Sequence, residues 1–131
     1  SSHIVNVIPV LVHGDCTPTN FIFSDNMSLV VLDLERSKIS DPAVDTGRVA
    51  GELAHHFLMF TGCTQNAEEF ITHFYRQYCS FSPFGEKLFD DITKRNPYFQ
   101  AITELRIARN LWLSNEHRQK LIYEAIKCLN I

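Results

Sequence analysis

The sequence predicts an α+β fold that is mostly helical, with a loop and a small β-hairpin at about 10–35 and some five helices over about 42–131. Three observations carry this. Phe21-Ile22-Phe23 and Leu29-Val30-Val31-Leu32 are β-branched and aromatic runs separated by the turn-forming Ser24-Asp25-Asn26-Met27-Ser28. Beyond Pro42, apolar residues recur at helical spacing. No repeat or low-complexity linker divides the 131 residues, of which 45% are hydrophobic, so one domain with one core is expected.

The elements follow in order. Ile4-Val5-Asn6-Val7-Ile8-Pro9-Val10-Leu11-Val12 supplies a segment or strand leading into the loop, and the hairpin comes next. Asp41 caps the first helix with Pro42 at its first position, and Ala50, Leu53, Ala54 and Phe57 repeat through to about Phe60. Arg48, Glu52, His55 and His56 fall on the other side and predict a solvated face. Gly62 suits the carboxyl end. Asn66 followed by Glu69 reads as a capping box for a helix with the stripe Phe70, Ile71, Phe74, Tyr75 and Tyr78. After a turn at Ser80 to Pro83, a third helix covers Phe84 to Lys94. Asn96-Pro97 opens a fourth to about Leu113, with Tyr98, Ala101, Ile102, Leu105, Ala108, Leu111 and Trp112 inward. A last helix starts near Ser114 or Asn115 and packs through Leu121, Ile122, Ala125, Ile126 and Leu129.

Three oxygen-bearing side chains stand out against this scaffold. The stretch His13-Gly14-Asp15-Cys16-Thr17-Pro18-Thr19-Asn20 precedes the hairpin, and Asp33 ends it. Folding about an Asp25 to Ser28 loop pairs Phe21 with Leu32 and sets Asn20 opposite Asp33. Directly opposed Cβ atoms lie about 4.5–5.5 Å apart, so an amide oxygen and a carboxylate there suit one hard cation. Asp15 enters from the same end. Phosphoryl transfer uses such a set, because it needs one carboxylate to take a hydroxyl proton and oxygen ligands to hold magnesium on the phosphates. Asp and Asn also favour ordinary turns, but Asp33 and the Asp41-Pro42 turn following in order argue against that reading.

His-Gly-Asp-x-x-x-x-Asn, then Leu32-Asp33-Leu34-Glu35, then Ser40-Asp41-Pro42-Ala43-Val44-Asp45, resembles the carboxy-terminal lobe of aminoglycoside phosphotransferases and the choline-kinase-like small-molecule kinases, which share a protein-kinase-like fold. The resemblance spans about Val10 to Leu53. It implies Asp15 as catalytic base, Asn20 and Asp33 as magnesium ligands, and Glu35 near a second metal position. It also implies that His13 and Asp45 support the catalytic loop, with ATP as phosphoryl donor and a small-molecule hydroxyl as acceptor. Ser40 stands where such proteins commonly have Gly, and Thr46-Gly47 where they have Leu-Ala. With the motif starting twelve residues in, the amino-terminal ATP-binding lobe is expected to be absent and the isolated chain nearly inactive. Surface uncovered in this way is expected to be apolar and to support self-association or partner binding.

Composition narrows the alternatives. A formal charge of −3 gives no general attraction to nucleic acid or anionic membrane. Without an apolar run near eighteen residues or a basic-then-apolar leader, a cytoplasmic location is expected. Cys16, Cys63, Cys79 and Cys128 show no Cys-x-x-Cys pair and are expected to be reduced thiols, Cys16 being the one placed for oxidation if exposed. Glu52-x-x-His55 with His56 lacks the second Glu-x-x-His that a carboxylate-bridged metal site needs. His73 and His117 read as isolated, and His3 as part of a frayed end. The aromatic stripe and Trp112 are read as core. The leading expectation is a phosphotransferase lobe. A non-catalytic remnant or binding module of the same fold shares every motif, and a phosphate-ester hydrolase comes last.

Overall fold

The computed structural model describes residues 7–130; His3 and the Ile4-Val5-Asn6 start of the apolar segment lie outside them. The expected leading strand is β1 (Val10–Val12), and it pairs antiparallel with β4 (Lys38–Ser40), Leu11 opposite Ile39. Three residues are too few for β4 to show an alternating pattern in sequence. Everything from His13 to Ser37 is therefore an excursion that leaves and returns through one two-stranded clasp.

Inside the excursion lies the expected hairpin, β2 (Phe21–Phe23) and β3 (Leu29–Val31), with its register shifted by one residue. Phe21 faces Val31 rather than Leu32. Ser24 N–H donates to Ser28 O at 3.0 Å, which carries the pairing one step past the strand ends and takes Ser28 out of the turn. Asn26 Oδ1 accepts from both the Ser24 hydroxyl and Ser28 N–H, which closes the reversal within Asp25–Met27. Met27 takes the left-handed conformation (φ 64°) that three-residue hairpin loops use. Asn20 consequently meets Leu32, whose N–H donates to Asn20 O at 2.8 Å.

Among the described residues four helices follow, not five: α1 (Ala43–Thr61), α2 (Glu68–Ser80), α3 (Gly85–Ala108) and α4 (Asn115–Leu129). Asp41 Oδ1 accepts from Ala43 N–H at 2.9 Å, and Gly62 ends α1 at φ 78°, both as expected. Ser114 Oγ accepts from His117 N–H and starts α4. The capping box does not form. Thr64–Ala67 is a 3₁₀ turn running straight into α2, so Asn66 is already helical and its side chain bonds back to Thr61 Oγ1.

The third and fourth expected helices are one, with Pro97 inside it. A proline removes one helical hydrogen bond, but here the residues beside it are tied to the start of α1. Arg95 grips Asp41 through Nε (3.1 Å) and Nη2 (2.9 Å), and Asn96 Oδ1 accepts from Thr46 Oγ1 at 3.0 Å. With Ile92 and Ala101 buried on either side, packing holds the helix continuous.

α1 and α3 meet along a seam of small residues. A Cβ added at Gly47 would collide with Phe99 Cβ, and one at Gly51 would lie 2.5 Å from Thr103 Cβ. The seam draws Thr103, Glu104 and Ile107 inward and leaves Tyr98, Ile102 and Leu105 outside, against expectation. Leu111 and Trp112 fall beyond the end of α3 and are 83% and 72% exposed, so Trp112 is not core. One apolar cluster joins Ala50, Ile71, Tyr75, Cys79 and Ile92, with Phe74 and Tyr78 against it; another joins Leu58, Ile107, Leu113 and Leu121. Leu121 and Ala125 carry the buried face of α4, while Ile122 and Ile126 are exposed. Val12 is the clasp's buried residue; in the clasp, the hairpin and the turn after it, Leu11, Phe23, Met27, Leu34 and Ile39 are all exposed.

Glu104 lies fully buried in this interior, held by Gln100 Nε2 at 2.7 Å, and burial pushes its carboxyl up to about 8. A carboxyl raised above its unfolded value contributes stability that is complete below about pH 4 and is lost as pH rises through about 8. Glu104→Gln is therefore expected to gain on the wild type between pH 5 and pH 9, by on the order of 3 kcal/mol. Denaturant melts at the two pH values read this; a gain that is the same at both would refute it.

Candidate active site

The His13–Asn20 loop is held from the first turn of α1. Asp45 accepts His13 N–H through Oδ2 at 2.7 Å and Gly14 N–H through Oδ1 at 3.0 Å. Its position near the helix amino terminus also favours the negative charge. Gly14 turns the chain at φ 87°, and a Cβ there would run into the backbone carbonyl of Arg36.

His13 bonds in two directions. Asp15 N–H can only donate, so His13 Nδ1 accepts it (3.1 Å) and the ring proton sits on Nε2, which donates to Leu32 O at 2.8 Å. Leu32 is thus bonded to His13 through its carbonyl and to Asn20 through its amide, and Asp33 is the next residue.

Asp15 and Asn20 are in contact. Asn20 Nδ2 donates to Asp15 O at 2.9 Å and to Asp15 Oδ2 at 3.3 Å. Thr17 N–H also donates to Asp15 O, and Pro18 opens the 3₁₀ turn that delivers Asn20. Because Asn20 donates through its nitrogen, its amide oxygen is left as an acceptor.

Asp33 is brought to the same end of the hairpin, but not directly opposite Asn20, because of the one-residue register difference. It sits in the left-handed region (φ 61°, ψ 66°) and turns the chain sharply into the 3₁₀ segment Leu34–Arg36, which carries Glu35. A short polar side chain tolerates that conformation better than most. Neither Asp33 nor Glu35 makes a side-chain hydrogen bond or ion pair to Asp15 or Asn20 among the described residues.

Arg48 is the site residue that helical periodicity misassigns. Instead of facing solvent it reaches Asp15 Oδ1 with Nη2 (3.7 Å) and Glu52 Oε1 with Nε (3.6 Å). Burial raises the Glu52 carboxyl, against the pull of Arg48 and His56. His55 is also buried, and His117 is not isolated: His55 Nδ1 and His117 Nε2 share a hydrogen bond of 2.9 Å between α1 and α4. Burial, with His117 and His56 nearby, pushes His55 down to about 4. A polar residue on the outer side of an isolated helix gives no sign that a later helix will cover it.

Cys16 is half-buried beside the loop. Burial and the charges of Asp45 and Asp15 push its thiol up to about 12, so the thiolate needed for oxidation is suppressed. All four cysteines are free thiols.

Oxygen donors on a clamped loop, carried by a mostly helical domain, are groups of the kind that phosphoryl transfer uses. The sequence profile of the phosphotransferase enzyme family (APH) matches residues 6–98, from the leading segment through α1 and α2 into α3, and the chain belongs to that family. No curated protein and no solved structure matches it. No helix among the described residues is long and apolar enough to cross a membrane.

Proposed function

We propose that this chain is the carboxy-terminal catalytic lobe of an ATP- and magnesium-dependent phosphotransferase acting on a small-molecule hydroxyl. The observation that carries the reading is the direct Asp15–Asn20 contact on a loop gripped by Asp45. Asp15 is the base that takes the hydroxyl proton. Asn20 and Asp33 are the magnesium ligands, and Glu35 stands by a second metal position. His13 and Asp45 hold the loop.

The donor set suits the metal. Carboxylate and amide oxygens are hard ligands of the kind magnesium prefers, and no thiolate or imidazole competes within the set. When bound, the ion neutralises charge on the donor phosphates. The protein's own work is positional: Asn20 orients Asp15 through Nδ2, the His13 ring fixes the peptide of Asp15, and the Leu32 bonds fix the peptide leading to Asp33.

The test is Asp15→Asn in the complete reading frame that carries this chain, assayed for transfer from ATP to a panel of hydroxyl compounds. General-base loss is worth about 10²–10⁴ in rate, so turnover is expected to fall by that much. Unchanged turnover removes Asp15 from the mechanism, and phosphate release without transfer to any acceptor points to a hydrolase.

A further inference from the structure

Beside Asp15 lies a cleft of about 520 Å³ whose lining holds Arg36, Lys38, Arg48 and Arg106, with Phe99 and Ile102 among its apolar residues and no carboxylate. Four cations from four segments (the turn after Asp33, β4, α1 and α3) converge there, in a chain whose net charge is −3. Clustering like charges is unfavourable unless something neutralises them. Among the described residues Arg36, Lys38 and Arg106 make no ion pair, and the acids near Arg48 lie at 3.6 and 3.7 Å. Arg48 Nε is buried without a hydrogen-bond partner. Partial burial lowers Arg106 most, and the nearby guanidinium groups of Arg48, Arg109 and Arg36 lower it further, against the pull of Asp15.

The two oxygens of Asp15 say which side of the reaction this cleft serves. Oδ2 is engaged by Asn20, and Oδ1 turns towards Arg48 in the cleft wall. If Asn20 belongs with the metal and the donor phosphates, the Arg48 side is the one from which a hydroxyl approaches the base. Guanidinium groups recognise phosphate and carboxylate oxygens with paired N–H donors, and a cationic acceptor such as an aminoglycoside would be repelled.

We propose that the acceptor is an anion: a small hydroxy compound carrying a phosphate or carboxylate group, held by Arg36, Lys38 and Arg106 while its hydroxyl meets Asp15. This rests on the phosphotransferase reading above. It concerns binding, however, and is read without turnover.

The experiment is calorimetric titration of the protein with glycerol 3-phosphate, with glycerol as the neutral control and choline as the cationic one. Arg36 and Arg106 are both exposed, so Arg36→Gln/Arg106→Gln should fold, with thermal melting as the check and Lys38→Gln as an independent variant. Glycerol 3-phosphate is expected to bind at least about tenfold tighter than glycerol or choline, more weakly at high salt, and at least about tenfold more weakly to the double variant. Equal affinity for the three compounds, or no loss in folded variants, overturns the proposal. So does displacement of glycerol 3-phosphate by Mg-ATP, which would assign the cleft to donor phosphates. Anion binding that persists while Asp15→Asn leaves turnover intact would sink the catalytic reading alone; loss of turnover in Asp15→Asn without anion binding would sink this one alone.

Discussion

Asp45→Ala is expected to reduce phosphoryl transfer by at least about a hundredfold while the helices stay folded, because misplacing a reacting group by roughly an ångström costs that much. Among the described residues the carboxylate is the only side-chain hydrogen-bond tether between α1 and the backbone at His13 and Gly14, and it receives both amides. Hydrogen bonds to a charged acceptor contribute about 1.5–3 kcal/mol each, so its removal leaves two donors unpaired and the loop free to shift. Asp45→Asn keeps an acceptor oxygen for one amide and sets its own NH₂ against the other, so an intermediate loss is expected. Turnover and amide exchange at residues 13–15 report the effect. Full activity in Asp45→Ala would mean that the β1–β4 clasp alone positions the loop.

The second large effect belongs to the helix seam. Gly47→Ala places a methyl against Phe99 Cβ, with the Phe99 and Gln100 backbone only 3.2–3.3 Å away, so neither side can yield by a rotamer change. Overpacking of this kind costs about 1–3 kcal/mol, and Gly47→Val more. Gly85→Ala is the contrast: its nearest neighbour would be Cys79 O at 3.7 Å, so the same substitution at the start of α3 should be neutral or mildly stabilising. Chemical denaturation of the pair separates steric from general glycine effects. If Gly47→Ala melts like the wild type, α1 and α3 are not in the contact described.

How much of this was legible in the sequence depended on whether the signal was local. Gly62, Ser114 and Asp41 act on backbone groups within a few residues, and each marks a helix end where its chemistry says it should. The spacing that links His13, Asp15 and Asn20 was local too, and the loop brings them into contact. The hairpin register failed by one residue because Asn26 drew Ser28 out of the turn, a choice made by one side chain. Pro97 read as a helix start because the bonds of Arg95 and Asn96 to the beginning of α1, about fifty residues earlier in the chain, have no local trace. The same is true of Arg48 and His55, whose partners come from the loop and from α4. Thr46-Gly47, an oddity beside the family pattern, makes sense only once α3 is in place: the hydroxyl meets Asn96 and the glycine admits Phe99.

Three residue pairs close the excursion from His13 to Ser37, whereas the helices are locked by interior clusters. Segments with few buried contacts open at lower free energy than the body that carries them. Warming should therefore unlatch the chemistry before the scaffold melts, and the temperature at which turnover ceases should fall below the one at which helicity does.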